Sequence, residues 1–326
     1  MGNIIQDVRY AFRQFAASPG FTAIAVLSLA VGIGANSAIF GLANALFLKS
    51  LPGERPDELV SVYTSDFSGP VYSLSSYPDF QYLRDRNDTL SGLTGYTPFP
   101  TVLTDGEKTD RVFGEFVSGN YFDVLGLRPQ LGRWFLPEED RTPGTHRVAV
   151  LSDSMWLHRY QRDPSVIGRT LTLGGNAFTI VGIAPKGFTS LLRGFSSEFW
   201  VPSMTLNVQQ RDSNDLTHRG SRGLFLIGRL KPGVSIAQAG ANFKVLAAQL
   251  HGAYPEWWED RSKKARVISL LPESKSRVFP MLRAPLFGFI ALLMIVVGLV
   301  LLIACSNIAN LLLARSAARR KEIAIR

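Results

Sequence analysis

Four histidines, His146, His158, His218 and His251, are spread along the chain with no neighbours at metal-ligand spacing, and the single cysteine is Cys305. A zinc site needs several such ligands drawn together, so no metal residue is predicted. The sequence holds no G-x-x-x-x-G-K-[ST] loop, no G-x-S-x-G elbow and no H-E-x-x-H pair, which removes the phosphate-cradling, hydrolase and metalloprotease readings. Ser152, Asp153 and His158 lie close in sequence. Triads, however, are assembled in space, and a helix cap followed by a solvated face accounts for all three. No catalytic residue, no cofactor residue and no enzymatic activity are predicted.

Side-chain amides in apolar surroundings carry more information. Asn36 and Asn44 interrupt one apolar stretch; Ser306, Asn307 and Asn310 interrupt another. An amide facing lipid is costly. Asn307 and Asn310 stand three apart on one helical face, suited either to hydrogen bonds with a further span or to water at the membrane surface. Small residues recur at four-residue spacing in the first stretch, Ala30, Gly34 and Ala38, then Gly41 and Ala45. Such stripes let helices approach closely. Gly34, Ala38, Asn307 and Asn310 are the predicted helix-packing residues.

Those residues are positioned by two long apolar segments. Neither Phe21–Leu48 nor Leu286–Ala314 contains an Asp, Glu, Lys or Arg. Each exceeds the roughly 20 residues a helix needs to cross a bilayer core, and in lipid a helix satisfies its own backbone. The first segment is far longer than the core of a cleaved signal peptide. Before it, Ile4, Val8, Phe12 and Phe15 recur at helical spacing, predicting an amphipathic helix on the inner membrane surface, ended by Pro19-Gly20. After the second comes the densest basic cluster, Arg315, Arg319, Arg320, Lys321 and Arg326 against Glu322. Such clusters stay cytoplasmic, which places both termini inside and the central domain outside. The net charge of +9 is concentrated partly in that tail, and no basic block marks the middle, so nucleic acid is excluded as a partner. With Cys305 inside a span, the exported domain has no disulfide.

Between the spans, strand and helix patterns interleave. Val60–Tyr63 alternates as a strand, and Tyr77-Pro78-Asp79 opens a helix through Leu83. Val148–Leu151 is a strand, with Ser152 capping the next helix. Thr170–Leu173, Gly174-Gly175-Asn176 and Ala177–Val181 form a hairpin. Leu224–Leu230 is a strand, and Ser235 with Gln238 makes a capping box before a helix whose apolar face is Ile236, Ala239, Phe243, Leu246 and Leu250. The predicted fold class is a membrane protein, two transmembrane α-helices bracketing an α+β periplasmic domain of two lobes. Its segments are an amphipathic helix at 1–20, a first span at 21–48, the exported domain at 49–285, a second span at 286–314 and a cytoplasmic tail at 315–326.

Several stretches together resemble one family. They are Asp7-Val-Arg-Tyr-Ala-Phe-Arg-Gln-Phe with Ser18-Pro-Gly-Phe21 and Gly32-Ile-Gly-Ala-Asn36, Ser118-Gly-Asn-Tyr-Phe-Asp-Val-Leu-Gly126, Leu131-Gly-Arg133, Pro137-Glu-Glu-Asp140, Ile167-Gly-Arg169, Ile180-Val-Gly-Ile-Ala-Pro185, Ala304-Cys-Ser-Asn-Ile-Ala-Asn and Arg319-Arg-Lys-Glu-Ile-Ala-Ile-Arg326. In this order they resemble the amino-terminal part of a MacB/FtsX-type ABC transporter permease, in its duplicated-permease branch, with a MacB-like periplasmic core domain. The resemblance implies a permease subunit of the bacterial inner membrane that couples ATP hydrolysis by a separate ATPase to movement of a periplasmic domain, for export or envelope mechanotransmission. ATP would be bound by that partner and not by this chain. The resemblance assigns ATPase coupling to Arg319, Arg320, Lys321, Glu322 and Arg326. It implies as further partners the lipid bilayer, a second permease unit or homodimer, and a periplasmic adaptor. Relatives of this kind carry four spans per unit, so the sequence reads as a fragment or truncated product. Two other readings fit the same topology: a membrane-anchored periplasmic sensor or binding protein signalling through the second span, and a non-functional truncated remnant.

Overall fold

The computed structural model describes residues 19–44, 53–67, 70–105, 108–209, 213–260 and 262–325, besides Gln6, Arg13 and Phe47. The amphipathic helix expected over 1–20 therefore falls almost wholly outside the described residues. Two compact units divide the chain, Met1–Lys49 with Leu282–Arg326, and Ser50–Met281.

The first unit holds helix α1 (Pro19–Ala43) and most of the last helix, Pro280–Ile325. Within them, Thr22–Ala43 and Pro280–Asn310 are long and apolar enough to cross a membrane. The second helix begins before the charge-free segment read from the sequence, taking in Arg283 and Pro285.

The second unit is an α+β domain built on one mixed sheet. Its strands are β1 (Leu59–Thr64), β2 (Ser75–Ser76), β3 (Leu90–Asp105), β4 (Lys108–Val117), β5 (Leu131–Gly132), β6 (Val148–Leu151), β7 (Thr170–Leu173), β8 (Asn176–Ile183), β9 (Phe199–Pro202), β10 (Arg222–Leu230) and β11 (Ile268–Pro272). They run in the order β11-β1-β10-β3-β4-β9-β6-β8-β5, with β2 on β10 and β7 bridging β3 and β8. Its helices include α2 (Tyr77–Arg86), α3 (Asp153–Tyr160) and α4 (Ile236–Ala253); the last helix of the chain is α5.

At one end, β1-α2-β3 and β10-α4-β11 interlock as a split βαβ pair, with every neighbouring strand antiparallel. Phe80 and Leu83 of α2 and Phe243, Leu246 and Leu250 of α4 bury there with Trp258. Local chemistry sets both helices. The Ser76 hydroxyl accepts from the Asp79 N–H at 3.3 Å, and Ser235 and Gln238 close the expected capping box. At the other end, β4 and β9 pair in parallel, as do β6 and β8, around Phe99, Phe116, Phe178 and Phe199. The β7–β8 hairpin turns through Gly174 and Gly175, at φ 54° and 75°, a left-handed pair that glycine adopts without a Cβ clash.

Candidate functional site

In the helix pair, the shielded positions of α1 include Ser28, Gly32, Ala35, Asn36, Ile39 and Ala43; those of α5 include Ile290, Met294, Val297, Leu301, Ala304 and Ile308. The α5 positions step by alternately four and three residues, which keeps one seam turned toward a neighbouring helix. Gly32 meets Leu301, while Phe47 meets Phe287 edge-on with ring centroids 6.3 Å apart, so the two helices run antiparallel. At the first contact a Cβ on residue 32 would stand 2.8 Å from a Leu301 methyl, which explains glycine there.

The predicted packing residues are elsewhere. Gly34 and Ala38 lie on an exposed face of α1, and no atom comes within 4 Å of where a Gly34 Cβ would be. Asn307 and Asn310 are likewise exposed on α5, as are Ser306 and Cys305. The structure does not bring these four residues together; it leaves them on faces open to a further partner. Of the span amides, Asn36 alone is half-buried at the seam. Arg319, Arg320, Lys321 and Glu322 fall in the final turns of α5, and Arg326 lies outside the described residues.

In the domain, the polar groups with the strongest electrostatic demands are buried acids. Asp79 is fully buried and accepts from both Arg219 and Arg222, the latter at 2.9 Å, and from the Trp258 indole at 3.3 Å. Burial pulls the Arg222 guanidinium down to about 10 despite that partner. Glu115, also fully buried, takes hydrogen bonds from the Ser190 hydroxyl, the Trp200 indole at 2.6 Å and the Tyr121 hydroxyl at 3.3 Å. Burial raises its carboxyl above the ordinary value, and these donors oppose the rise. No cation contacts it among those bonds. Such arrangements fix strands against loops; they do not assemble a nucleophile with its base.

Ser152 serves as the helix cap, accepting from the Met155 N–H at 3.0 Å, Asp153 pairs with Arg162 at 2.9 Å, and His158 is exposed. His218 packs on Trp257 and His251 bonds Glu259. Among the described residues, no group of three or more His, Cys, Asp or Glu is placed to hold a metal ion. Sequence reasoning missed Asp79 and Glu115 as buried charges. Asp79 gave only a helix-start signal, and its arginine partners lie far along the chain.

Two long apolar helices flanking a mixed-sheet domain fit a membrane protein with a large domain outside the bilayer. Residues 22–246 match the MacB-like periplasmic core domain, and the chain belongs to that family. No curated protein gives a significant match. Among solved structures, the periplasmic region of MacB from Actinobacillus actinomycetemcomitans is similar, at 16% identity and a TM-score of 0.49, over 67% of this chain and 90% of that one. The extracellular domain of the noncanonic ABC-type transporter YknZ from Gram-positive bacteria is similar at 17% identity and a TM-score of 0.46, over 65% of this chain and 99% of that one. The family agrees with the resemblance read from the motifs. It is a permease domain family and not an enzyme class.

Proposed function

We propose that this chain is a permease subunit of an ABC transporter, anchored in the bacterial inner membrane by α1 and α5. The observation that carries the reading is the family match over residues 22–246, which takes in the first helix of spanning length and is followed by the second. The basic tail keeps both termini in the cytoplasm and the domain in the periplasm. A separate ATPase binds ATP and engages Arg319, Arg320, Lys321, Glu322 and Arg326, and its cycle moves the periplasmic domain for export or envelope mechanotransmission. The open faces at Gly34 with Ala38, and at Asn307 with Asn310, suit a second permease unit or a second copy of this chain. A periplasmic adaptor would meet the domain. Within the domain, the α2/α4-covered end and the β4–β9 end act as two lobes sharing β3.

Topology is tested in a Cys305→Ser background. An impermeant maleimide should label Lys244→Cys on intact spheroplasts and Lys321→Cys only after permeabilisation. Coupling is tested by recovering the full chain from its host's membranes. An ABC-type ATPase should accompany it, and reversing Arg319, Arg320 and Lys321 to Glu should deplete that ATPase. Inverted labelling, or recovery unchanged by charge reversal, would sink the corresponding part of the proposal.

A further inference from the structure

Residues 53–58, on the domain side of the first span, are held more tightly than a simple tether would be. Gly53 has φ 135°, and a Cβ there would stand 2.4 Å from the Leu125 carbonyl oxygen. Arg55 is left-handed at φ 48° and ψ 63°, a region that residues other than glycine seldom enter. Such backbone persists only where its surroundings over-determine it. The Glu54 N–H donates to the Gly126 carbonyl at 3.3 Å. From β10, Arg229 donates through Nε to the Val124 carbonyl at 2.9 Å, and through Nη1 to the Arg55 carbonyl at 3.0 Å and to Glu58 at 3.1 Å. One guanidinium, its side chain 12% exposed, thus ties the incoming chain to the body of the domain.

The outgoing chain meets the same strand. Helix α5 starts at Pro280, within the domain unit, which runs to Met281. Phe279, the residue before it, lies edge-on to Tyr63 of β1 and Phe225 of β10, with ring centroids 6.0 and 6.1 Å apart. Phe225 in turn stacks on Tyr96 of β3 at 5.1 Å. Phe279 and the helix are consecutive in sequence, so no tether intervenes. Positions 225 and 229 are four apart on one strand and share a face of the sheet.

We infer that β10 is the yoke through which both spans act on the domain, Arg229 holding the chain that comes from α1 and Phe225 holding, through Phe279, the start of α5. The inference rests on the permease reading for the motion that is delivered, while the two grips are present without it.

Spin labels on the full chain in nanodiscs, in a Cys305→Ser background, test it with no ATPase added. Lys244→Cys in the domain is paired in turn with Leu42→Cys on α1, Phe289→Cys on α5 and Glu138→Cys elsewhere in the domain; all four positions are exposed. The parent should give three narrow distance distributions. Arg229→Gln should broaden the Lys244–Leu42 distribution alone, by up to about 12–15 Å, the spread of six residues released as a flexible coil. Phe279→Ala should broaden the Lys244–Phe289 distribution alone. A Lys244–Glu138 distribution that stays narrow shows that the domain has kept its fold, which tells release of a grip from loss of stability. If either variant broadens that pair as well, Glu58→Ala and Phe279→Leu, which weaken the same grips less, decide the matter. Broad span-to-domain distributions in the parent overturn the proposal, and so do distributions unchanged in the folded variants. Failure to recover an ATPase with the chain would sink the permease reading and leave this result standing.

Discussion

In the Ser50–Met281 unit the largest side chains, Trp200, Trp258, Phe80, Phe116 and Phe243, are completely shielded, whereas in the helix pair Leu27, Val31, Phe287 and Leu302 each stand more than 60% exposed. The first pattern suits water, where apolar burial stabilises by about 25 cal/mol per Å². The second suits lipid, where contact between two leucines gains nothing over contact with an acyl chain and close packing at small residues holds helices together. One chain thus carries two solutions to two solvents. A residue's contribution depends on which one it serves.

Asp79→Ala should break the contrast most severely. It leaves Arg219 and Arg222 buried without their carboxylate and should destabilise the domain by about 3–5 kcal/mol. Urea unfolding of the full chain, followed by tryptophan emission, reads this; a midpoint within error of the parent would remove the ion-pair node from the account. Next, Leu250→Ala in the domain should cost about 2–5 kcal/mol, while Leu302→Ala on the exposed face of α5 should stay within about 0.5 kcal/mol. Equal losses at the two sites would contradict the two-solvent view. Within the pair itself, Gly32→Leu forces a side chain into Leu301 and should weaken the α1–α5 contact by about 1–3 kcal/mol. Gly34→Leu should leave that contact alone. Spin labels at Phe47 and Phe287 report it: the distance should lengthen in the first variant and hold in the second.

The smallest effect concerns pH. Burial raises the Asp140 carboxyl from 3.8 to about 6, opposed by the Gly119 N–H, which donates to it at 2.7 Å. The folded domain therefore binds this proton more tightly than the unfolded chain does. The associated stability is fully present below 3.8 and is lost as pH rises through about 6. Asp140→Asn should flatten the slope across that window in melting curves taken at each pH. A slope identical to the parent's would assign it to other groups.

Local rules carried the elements whose signals are local. The caps at Ser152 and Ser235, the helix opened by Tyr77-Pro78 and the Gly174-Gly175 hairpin all appear where the chain predicts them. By contrast, β3 extends over 16 residues and contains Pro98 and Pro100, neither of which can donate to a ladder. They are tolerated because β10 leaves β3 at Tyr96 and β7 joins it only at Leu103, so a strand lacking two N–H groups there has no ladder to lose on that side. The parallel pairing of β4 with β9 has no short-range signature at all. The same holds for the polar nodes, since Asp79 meets Arg219 and Trp258 only through the tertiary fold. For the helix pair the apolar length was legible, but the face was not. Several small-residue stripes wind around α1, and spacing alone does not say which one meets α5.

The pairing of Tyr96 with Phe225 has a topological consequence. Everything between these two positions leaves β3 and returns to β10 at adjoining points, yet it carries Arg219 and Arg222, which pair with buried Asp79, and Met204 and Leu216, which pack beneath α2 and α4. The intervening stretch is thus an insertion whose end is wired into its host. A short reverse turn joining those two points would leave Asp79 buried without either arginine, so excising the insertion calls for an apolar residue at position 79 as well.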